Sequence, residues 1–340
     1  MRQILLRIAV PGSSSAITLY GYGAMMCLGF LAAILLAAWR AKREKQSPEV
    51  IYNAALVAFF GGIFGARAFY VVQNYGHFTR LWDFVAIWEG GLTFYGGFLL
   101  AVAAMAVFLR ATGRPLLFWL DIMAPSTALG LGVGRMGCFL NGCCYGDVCK
   151  TGWGISWPAG TIPWEHYAGK FLATQGLPAD LPGGPASGML AGALAAVWDP
   201  PAIHATQLYA IATALPLAVL LHTMFRWKQR HGQIILAMAI LYGVGRFFEE
   251  MLRDDEPRSY LFGLRTIAGA LGMPDAEVRL PGLTISENLA VVMVIGGAAA
   301  LAILMRSRRR DLMADYVPGQ APVEAPSNIR RGRRRRGRHS

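Results

Sequence analysis

The chain reads as an all-α polytopic membrane protein of about seven transmembrane helices with a small extracytoplasmic head. Three observations predict this. Of 340 residues, 55% are hydrophobic and 15% are charged, whereas soluble domains carry about 25% charged residues. Seven apolar stretches approach the ~20 residues needed to cross a hydrocarbon core. Basic residues are also rich in alternate loops, the pattern that sets membrane orientation.

The spans fall near 17–39, 52–74, 91–110, 116–140, 204–225, 233–253 and 285–305. The first ends in WRAKREK, a basic stop rather than a small-residue cleavage site, so it reads as a retained span and not a signal peptide. No internal repeat is evident, which argues against an inverted-repeat transporter. The loops after spans 1, 3 and 5, together with the C-terminal segment, hold twenty Lys/Arg, and the opposite side holds nine. The positive-inside rule then puts the N-terminus outside and the C-terminus in the cytoplasm. The remaining three arginines, Arg67, Arg135 and Arg246, lie within spans.

Two segments fall outside the spans. The outer loop 141–203, rich in Gly, Pro and Trp, is expected to form the head, with a flexible stretch near GLPADLPGGPASG. Residues 1–306 then make up the membrane-embedded domain, and 307–340 a disordered basic cytoplasmic tail. The net charge of +12 draws on that tail, since eleven of the 32 Lys/Arg lie after residue 305. This suits a tail against anionic lipid, and no nucleic-acid motif accompanies it.

Polar residues inside the spans are the functional signal. An arginine at mid-membrane costs at least ~2.5 kcal/mol on insertion scales, so Arg135 and Arg246 need partners or a task. In the predicted orientation Tyr20 and Tyr22, Thr93 and Tyr95, and Arg135 all map to the outer half of the bilayer. So do His204, Thr206, Gln207 and Tyr209 of span 5, and Tyr242, Arg246, Glu249 and Glu250 of span 6. That pattern describes a polar cavity open to the outer leaflet. Two fork-shaped guanidiniums suit a phosphate or carboxylate, and a phosphate at headgroup depth belongs most naturally to a phospholipid. The plainer alternative is internal pairing of the arginines with Glu249, Glu250 or Asp121. Glycines in YGYG, EGG, YGG and GLGVG permit close approach of backbones to each other or to a ligand.

These residues resemble a known family, the prolipoprotein diacylglyceryl transferases. Its signature runs Gly-Arg-x-Gly-Asn-Phe-x-Asn-Gly-Glu-x-x-Gly, and residues 134–146 read GRMGCFLNGCCYG. Cys138 replaces the family's Asn and Cys143 its Glu. YGAMM, GARAFY, WEGGLTFYGG, DIMAP, WGISWP, HATQLY, YGVGRFFEEMLR and LTISENL resemble further family segments in the same order. Ala210 follows HATQLY where the family has Glu. The resemblance implies transfer of a diacylglyceryl group from phosphatidylglycerol to the lipobox cysteine thiol of prolipoproteins. It implies partners in phosphatidylglycerol, prolipoprotein signal peptides and membrane lipid, location in the bacterial inner membrane, and no cofactor; a monomer is expected. The catalytic candidates are Arg135, Arg246, Tyr95, Tyr22 and Tyr242. The substrate-binding candidates are Arg135, Arg246, Asn141, Gly146, Gly96, Gly97, His204, Gln207 and Glu250. Tyr95 stands where the family has a histidine viewed as the base. A tyrosine, with an ordinary pKa near ~10, is a poor base at neutral pH, and His204 is a substitute by residue type alone. The chain is therefore read as a divergent member.

Four of five cysteines follow C-x4-C-C-x4-C, with Cys27 alone in span 1. This is not a zinc spacing, so no metal is expected. A disulfide from Cys143 or Cys144 to Cys149 suits the outer compartment. Three other functions remain open: a thiol–disulfide oxidoreductase using Cys143 and Cys144, a lipid or anion transporter, and a lipid-binding paralogue without catalysis.

Overall fold

The computed structural model describes residues 4–9, 16–75, 86–87, 90–176, 194, 196, 198–254, 260–263 and 282–306. The expected flexible stretch 177–188 and the basic tail lie outside the described residues. The chain opens with β1 (Ile4–Ala9) paired antiparallel to β2 (Ala16–Tyr20). The helices α1 (Gly21–Arg43), α2 (Glu49–Gln73), α3 (Phe94–Ala111), α4 (Leu116–Asn141), α5 (Ile162–Thr174), α6 (Thr206–Met224) and α7 (Gln233–Met251) follow. A second pair, β3 (Tyr260–Gly263) and β4 (Gly282–Thr284), precedes α8 (Ile285–Arg306).

Among the described residues, α1, α2, α3, α4, α6 and α8 are long and apolar enough to cross a membrane. Helix α7 has 19 residues but concentrates Arg246, Glu249 and Glu250 near its C-terminal end. The seven predicted spans therefore correspond to seven helices, six of them long and apolar enough to cross a membrane. The predicted start of the first span shifts from residue 17 to residue 21. Its first residues, AITLY, are apolar enough to extend a hydropathy window, yet they pair with β1 as a strand. The two β-pairs were not expected from the sequence.

The chain divides into two compact units. One holds the strands, α1 and α4–α8; the other spans 53–116, with most of α2 and α3. In the first unit, α4 is the most buried of the candidate spans, and its glycines explain why. A Cβ on Gly29 of α1 would come within 2.9 Å of the Gly130 carbonyl oxygen. One on Gly132 would meet Leu215 of α6 at 2.7 Å. With little hydrophobic drive between helices in lipid, such close backbone packing holds the bundle. Helix α7 meets α8 in the same way, Gly243 facing Ala290 and Val294.

Asp121, fully buried in α4, closes the other end of this unit. Its Oδ2 accepts the Gly232 N–H at 2.8 Å, and its Oδ1 accepts those of Ile234 and Ile235 at 3.0 Å each. Gly232, at φ +100, is the N-cap of α7 and has no side chain to cap with. A carboxylate from another helix therefore satisfies the first N–H groups of α7, where the helix dipole favours negative charge. Lys228 Nζ lies 3.7 Å from the same carboxylate. Asp121 is thus occupied structurally and pairs with neither Arg135 nor Arg246.

Residues 141–203, expected to form the head, carry two clusters rich in aromatic side chains, Tyr145, Trp157, Tyr167 and Ile203 in one and Trp164, Ala168, Leu172 and Leu194 in another. Helix α5 of this segment, with Pro163 in the first turn, was not foreseen. Asp254, just past α7, accepts the Tyr167 hydroxyl at 2.9 Å and the Lys170 ammonium at 2.7 Å. Burial pushes the Asp254 carboxyl up, but these two donors outweigh it and hold the group below its ordinary range.

Candidate lipid-headgroup site

The end of α4 carries Arg135 into a tightly pinned turn. Gly142, at φ +79, ends the helix in the left-handed conformation that glycine adopts freely. Its N–H and that of Cys143 both return to the Cys138 carbonyl, at 2.9 and 3.2 Å. Cys144 is also left-handed, at φ +60, which is costly for a residue with a Cβ. Its carbonyl accepts Thr206 Oγ1 at 2.5 Å, and the Cys143 carbonyl accepts Gln207 Nε2 at 2.7 Å. The first residues of α6 thus fix the turn after α4, and Gln207 and Thr206 are buried in doing so.

Gly146 shows why its position admits no side chain. A Cβ there would lie 2.6 Å from the Leu252 carbonyl oxygen and 2.7 Å from both the Cβ and the carbonyl oxygen of His204. The chain passes between the start of α6 and the end of α7, with Gly146 N–H donating to His204 O and Asp147 N–H to Leu252 O, each at 2.9 Å. His204 turns its Nδ1 to the Tyr209 hydroxyl at 3.1 Å. Asn141 closes α4 and is partly buried. Tyr22 enters from α1, its backbone resting on Gly137, where an added Cβ would approach Tyr22 O at 3.1 Å.

The second arginine is held differently. Arg246 pairs with Glu250 one turn ahead and reaches Glu249 at 3.8 Å, while its Nη2 donates to Ser286 Oγ at 3.3 Å. Glu250 also accepts Arg253 at 3.1 Å and Thr284 Oγ1 at 3.4 Å. Glu249 accepts Thr213 Oγ1 at 2.6 Å. Thr284 and Glu287 form a reciprocal capping box at the start of α8: Thr284 N–H donates to Glu287 Oε2 at 2.7 Å, and Glu287 N–H to Thr284 Oγ1 at 3.1 Å. Internal pairing is therefore realised for Arg246.

Arg135 has no carboxylate within salt-bridge distance among the described residues. It lies within electrostatic reach of Tyr242, Cys138, Cys144 and Arg253. Arg246 in turn feels Arg135, Arg253 and Tyr242. Among the described residues Arg246 and Arg253 share Glu250, whereas Arg135 meets no carboxylate, which leaves Arg135 suited to an anion. Arg253 is a member of this group that the sequence reading missed. Its spacing of seven residues from Arg246, two helical turns on the same face, was the available signal.

Tyr95, Gly96 and Gly97 belong to the other unit. A Cβ on Gly96 would come within 2.2 Å of Phe69 Cβ and 2.6 Å of Gly65 O, and one on Gly97 within 3.0 Å of Gly62 O. These glycines bring α3 against α2. Tyr95, half-buried, stacks edge-on against Phe94. In the same unit Arg67 Nη1 donates to the carbonyls of Gly90 and Gly91, at 2.7 and 3.2 Å, which accounts for that intramembrane arginine.

All five cysteines are free thiols. The Sγ atoms of Cys138, Cys143 and Cys144 lie within 4.8 Å of one another. Cys149 sits apart from them, its Sγ 3.2 Å from Thr151 Oγ1. The thiols that converge are therefore not the Cys143 or Cys144 to Cys149 pairs expected from compartment alone.

The family model described as prolipoprotein diacylglyceryl transferase matches residues 12–303. The phosphatidylglycerol–prolipoprotein diacylglyceryl transferase of Rhodopirellula baltica is 35% identical over 195 residues, covering 52% of this chain and 40% of that protein. The protein of the same name from Clostridium tetani is 29% identical over 248 residues, covering 73% of this chain and 86% of its own length. That of Pediococcus pentosaceus is 27% identical over 304 residues, covering 89% and 92%. The chain thus spans less than half the length of the first of these relatives and most of the other two. With the family match running from β2 almost to the end of α8, this multi-pass membrane protein belongs to the prolipoprotein diacylglyceryl transferase family.

Proposed function

We propose that this chain transfers the diacylglyceryl group of phosphatidylglycerol to the lipobox cysteine thiol of prolipoproteins. Family membership and the names of its relatives support the reaction. The observation that carries the site is Arg135, without a carboxylate partner among the described residues, beside the Arg246–Glu250–Arg253 lattice. A lipid phosphodiester is the anion that this arrangement suits.

In the proposed reaction the thiol sulfur attacks the glyceryl carbon bearing the phosphate. A carbon–sulfur bond forms, the carbon–oxygen bond breaks, and glycerol phosphate leaves with the electron pair. Its new phosphate charge faces Arg135, with Arg246 and Arg253 behind it. Donors fixed in place before charge develops are worth more than mobile ones. Tyr22 and Tyr242 are assigned to the walls of the site. Gly146, Asn141, His204, Gln207 and Glu250 are assigned to hold its shape. The thiol proton passes to water or to the departing phosphate, since a neutral phenol is a poor base at pH 7. We also infer an N-terminus outside and a C-terminus in the cytoplasm, from the loop charges, with 141–203 as the head of a 1–306 membrane domain. A monomer is proposed, and prolipoprotein signal peptides as the protein substrate.

Tyr95 in place of the family's histidine favours one second reading, a lipid-binding paralogue that does not catalyse transfer. Complementation separates the two. Cells depleted of their own transferase, expressing this chain and a lipobox reporter, are expected to yield a thioether-lipidated reporter by mass spectrometry. A membrane-inserted chain that binds phosphatidylglycerol and leaves the reporter unmodified would establish the second reading.

A further inference from the structure

The three converging thiols lie in the same turn as the signature, yet transfer gives them no task. We propose that Cys138, Cys143 and Cys144 form a three-coordinate site for a soft monovalent metal ion, copper(I). The inference goes beyond the transfer reaction and does not depend on it.

Geometry comes first. At a metal–sulfur distance of about 2.3 Å, three sulfurs around one ion sit about 4 Å apart in a trigonal plane. The Sγ atoms here lie within 4.8 Å of one another without an ion, so side-chain rotations of a few tenths of an ångström close the site. The backbone is already set for this. Cys138 and Cys143 are tied through the Cys143 N–H to Cys138 O bond at 3.2 Å. Cys144 is held in the left-handed conformation by bonds from Thr206 and Gln207 to the carbonyls on either side of its N–H. That conformation is disfavoured for a residue with a Cβ, and strain of this kind gathers at ligand clamps.

Ligand type and charge select the ion. Thiolates favour soft cations such as copper(I) and zinc. Structural zinc takes four protein ligands, and among the described residues no His, Asp or Glu joins the three cysteines. Three thiolates around a monovalent ion carry two net negative charges. Two guanidiniums, Arg135 and Arg253, lie within electrostatic reach of Cys144 and offset part of that charge, Arg253 being shared with Glu250. Binding releases the thiol protons to solvent, since the thiolate is the ligand. Arg135 is also assigned to the lipid phosphate, so copper loading and phosphate binding are expected to oppose each other.

The test uses the full chain, purified in detergent under anaerobic reducing conditions and titrated with copper(I) alone or zinc alone. Bound metal is counted per chain, and sulfur coordination is read by X-ray absorption. One copper per chain with three sulfur neighbours is expected. Cys138→Ser, Cys143→Ser and Cys144→Ser should each lose it, while Cys27→Ser and Cys149→Ser retain it. In the unmutated chain, copper should slow alkylation of Cys138, Cys143 and Cys144 at least tenfold and leave Cys149 unchanged, a readout that needs no variant to fold. Full copper binding by the Cys138/Cys143/Cys144 triple serine variant would overturn the proposal. So would unprotected thiols in the copper-treated chain, stoichiometric zinc in preference to copper, or a disulfide among the three that persists under reductant.

Discussion

Replacing Asp121 by alanine removes one side chain from α4 and uncaps a different helix. The three N–H groups of Gly232, Ile234 and Ile235 lose their acceptor at once, and Lys228 loses the carboxylate 3.7 Å away. A lost helix cap alone costs about 0.5–2 kcal/mol. Hydrogen bonds to a charged group contribute about 1.5–3 kcal/mol each, but the three here share one carboxylate and are not additive. Removing one partner from a buried charge pair costs about 3–5 kcal/mol, and we expect Asp121→Ala to fall in that range. Asp121→Asn keeps an acceptor oxygen and loses the charge, so about half the cost is expected. Lys228→Met should cost less than Asp121→Ala, because the three N–H bonds to the carboxylate remain. The assay is unfolding of the detergent-solubilised chain by helical circular dichroism, with the three variants compared in one denaturant series. An Asp121→Ala variant within about 0.5 kcal/mol of the parent, the range of an ordinary surface change, would refute the cross-helix cap.

Other perturbations read other parts of the structure. Gly146→Ala places a Cβ against two backbone carbonyls and should abolish folding or activity, whereas Gly23→Ala, with nothing within 4 Å, should leave both intact; thermal unfolding and lipidation assays compare them. Glu250→Gln frees Arg246 and Arg253 from their shared carboxylate and should tighten phosphate-headgroup binding while destabilising the fold by about 3 kcal/mol, measured by lipid titration and denaturation. The Asp254 carboxyl is held below its ordinary value in the folded chain. Its contribution to stability is therefore complete above about pH 4 and is lost as pH falls through the lower folded value. Lys170→Met should flatten that acid dependence in a pH series of melting curves.

The sequence revealed most of the helices because a membrane leaves the chain few choices: any long apolar stretch must satisfy its own backbone. The strand Ala16–Tyr20 escaped notice because its residues are as apolar as a span and its partner, Ile4–Ala9, carries an arginine within an otherwise apolar run. Arg135, Arg246 and Gly146 were legible as charges in lipid and as a family signature. What the sequence left open was which arginine is already satisfied. That depends on Glu250 lying one turn from Arg246 with Arg253 and Thr284 around it, while no carboxylate reaches Arg135 among the described residues. The role of Asp121 was equally hidden, since its three partners lie more than a hundred residues away. The thiol cluster depends on a left-handed Cys144, a backbone state that no spacing rule foretells. Arg67 looked like the other intramembrane arginines and proved to be a clasp for the Gly90–Gly91 turn.

One measurement bears most directly on the transfer chemistry. The purified chain is mixed with phosphatidylglycerol vesicles and a lipobox peptide, and thioether product and released glycerol phosphate are counted together. Equal amounts of the two are expected from the parent. Arg135→Ala should lower both by about 100-fold or more, in line with the loss of a fixed donor to developing charge, while the variant retains the parent's unfolding curve. Full product formation by a folded Arg135→Ala variant, or glycerol phosphate release without thioether, would contradict the assignment of Arg135 to the lipid phosphate.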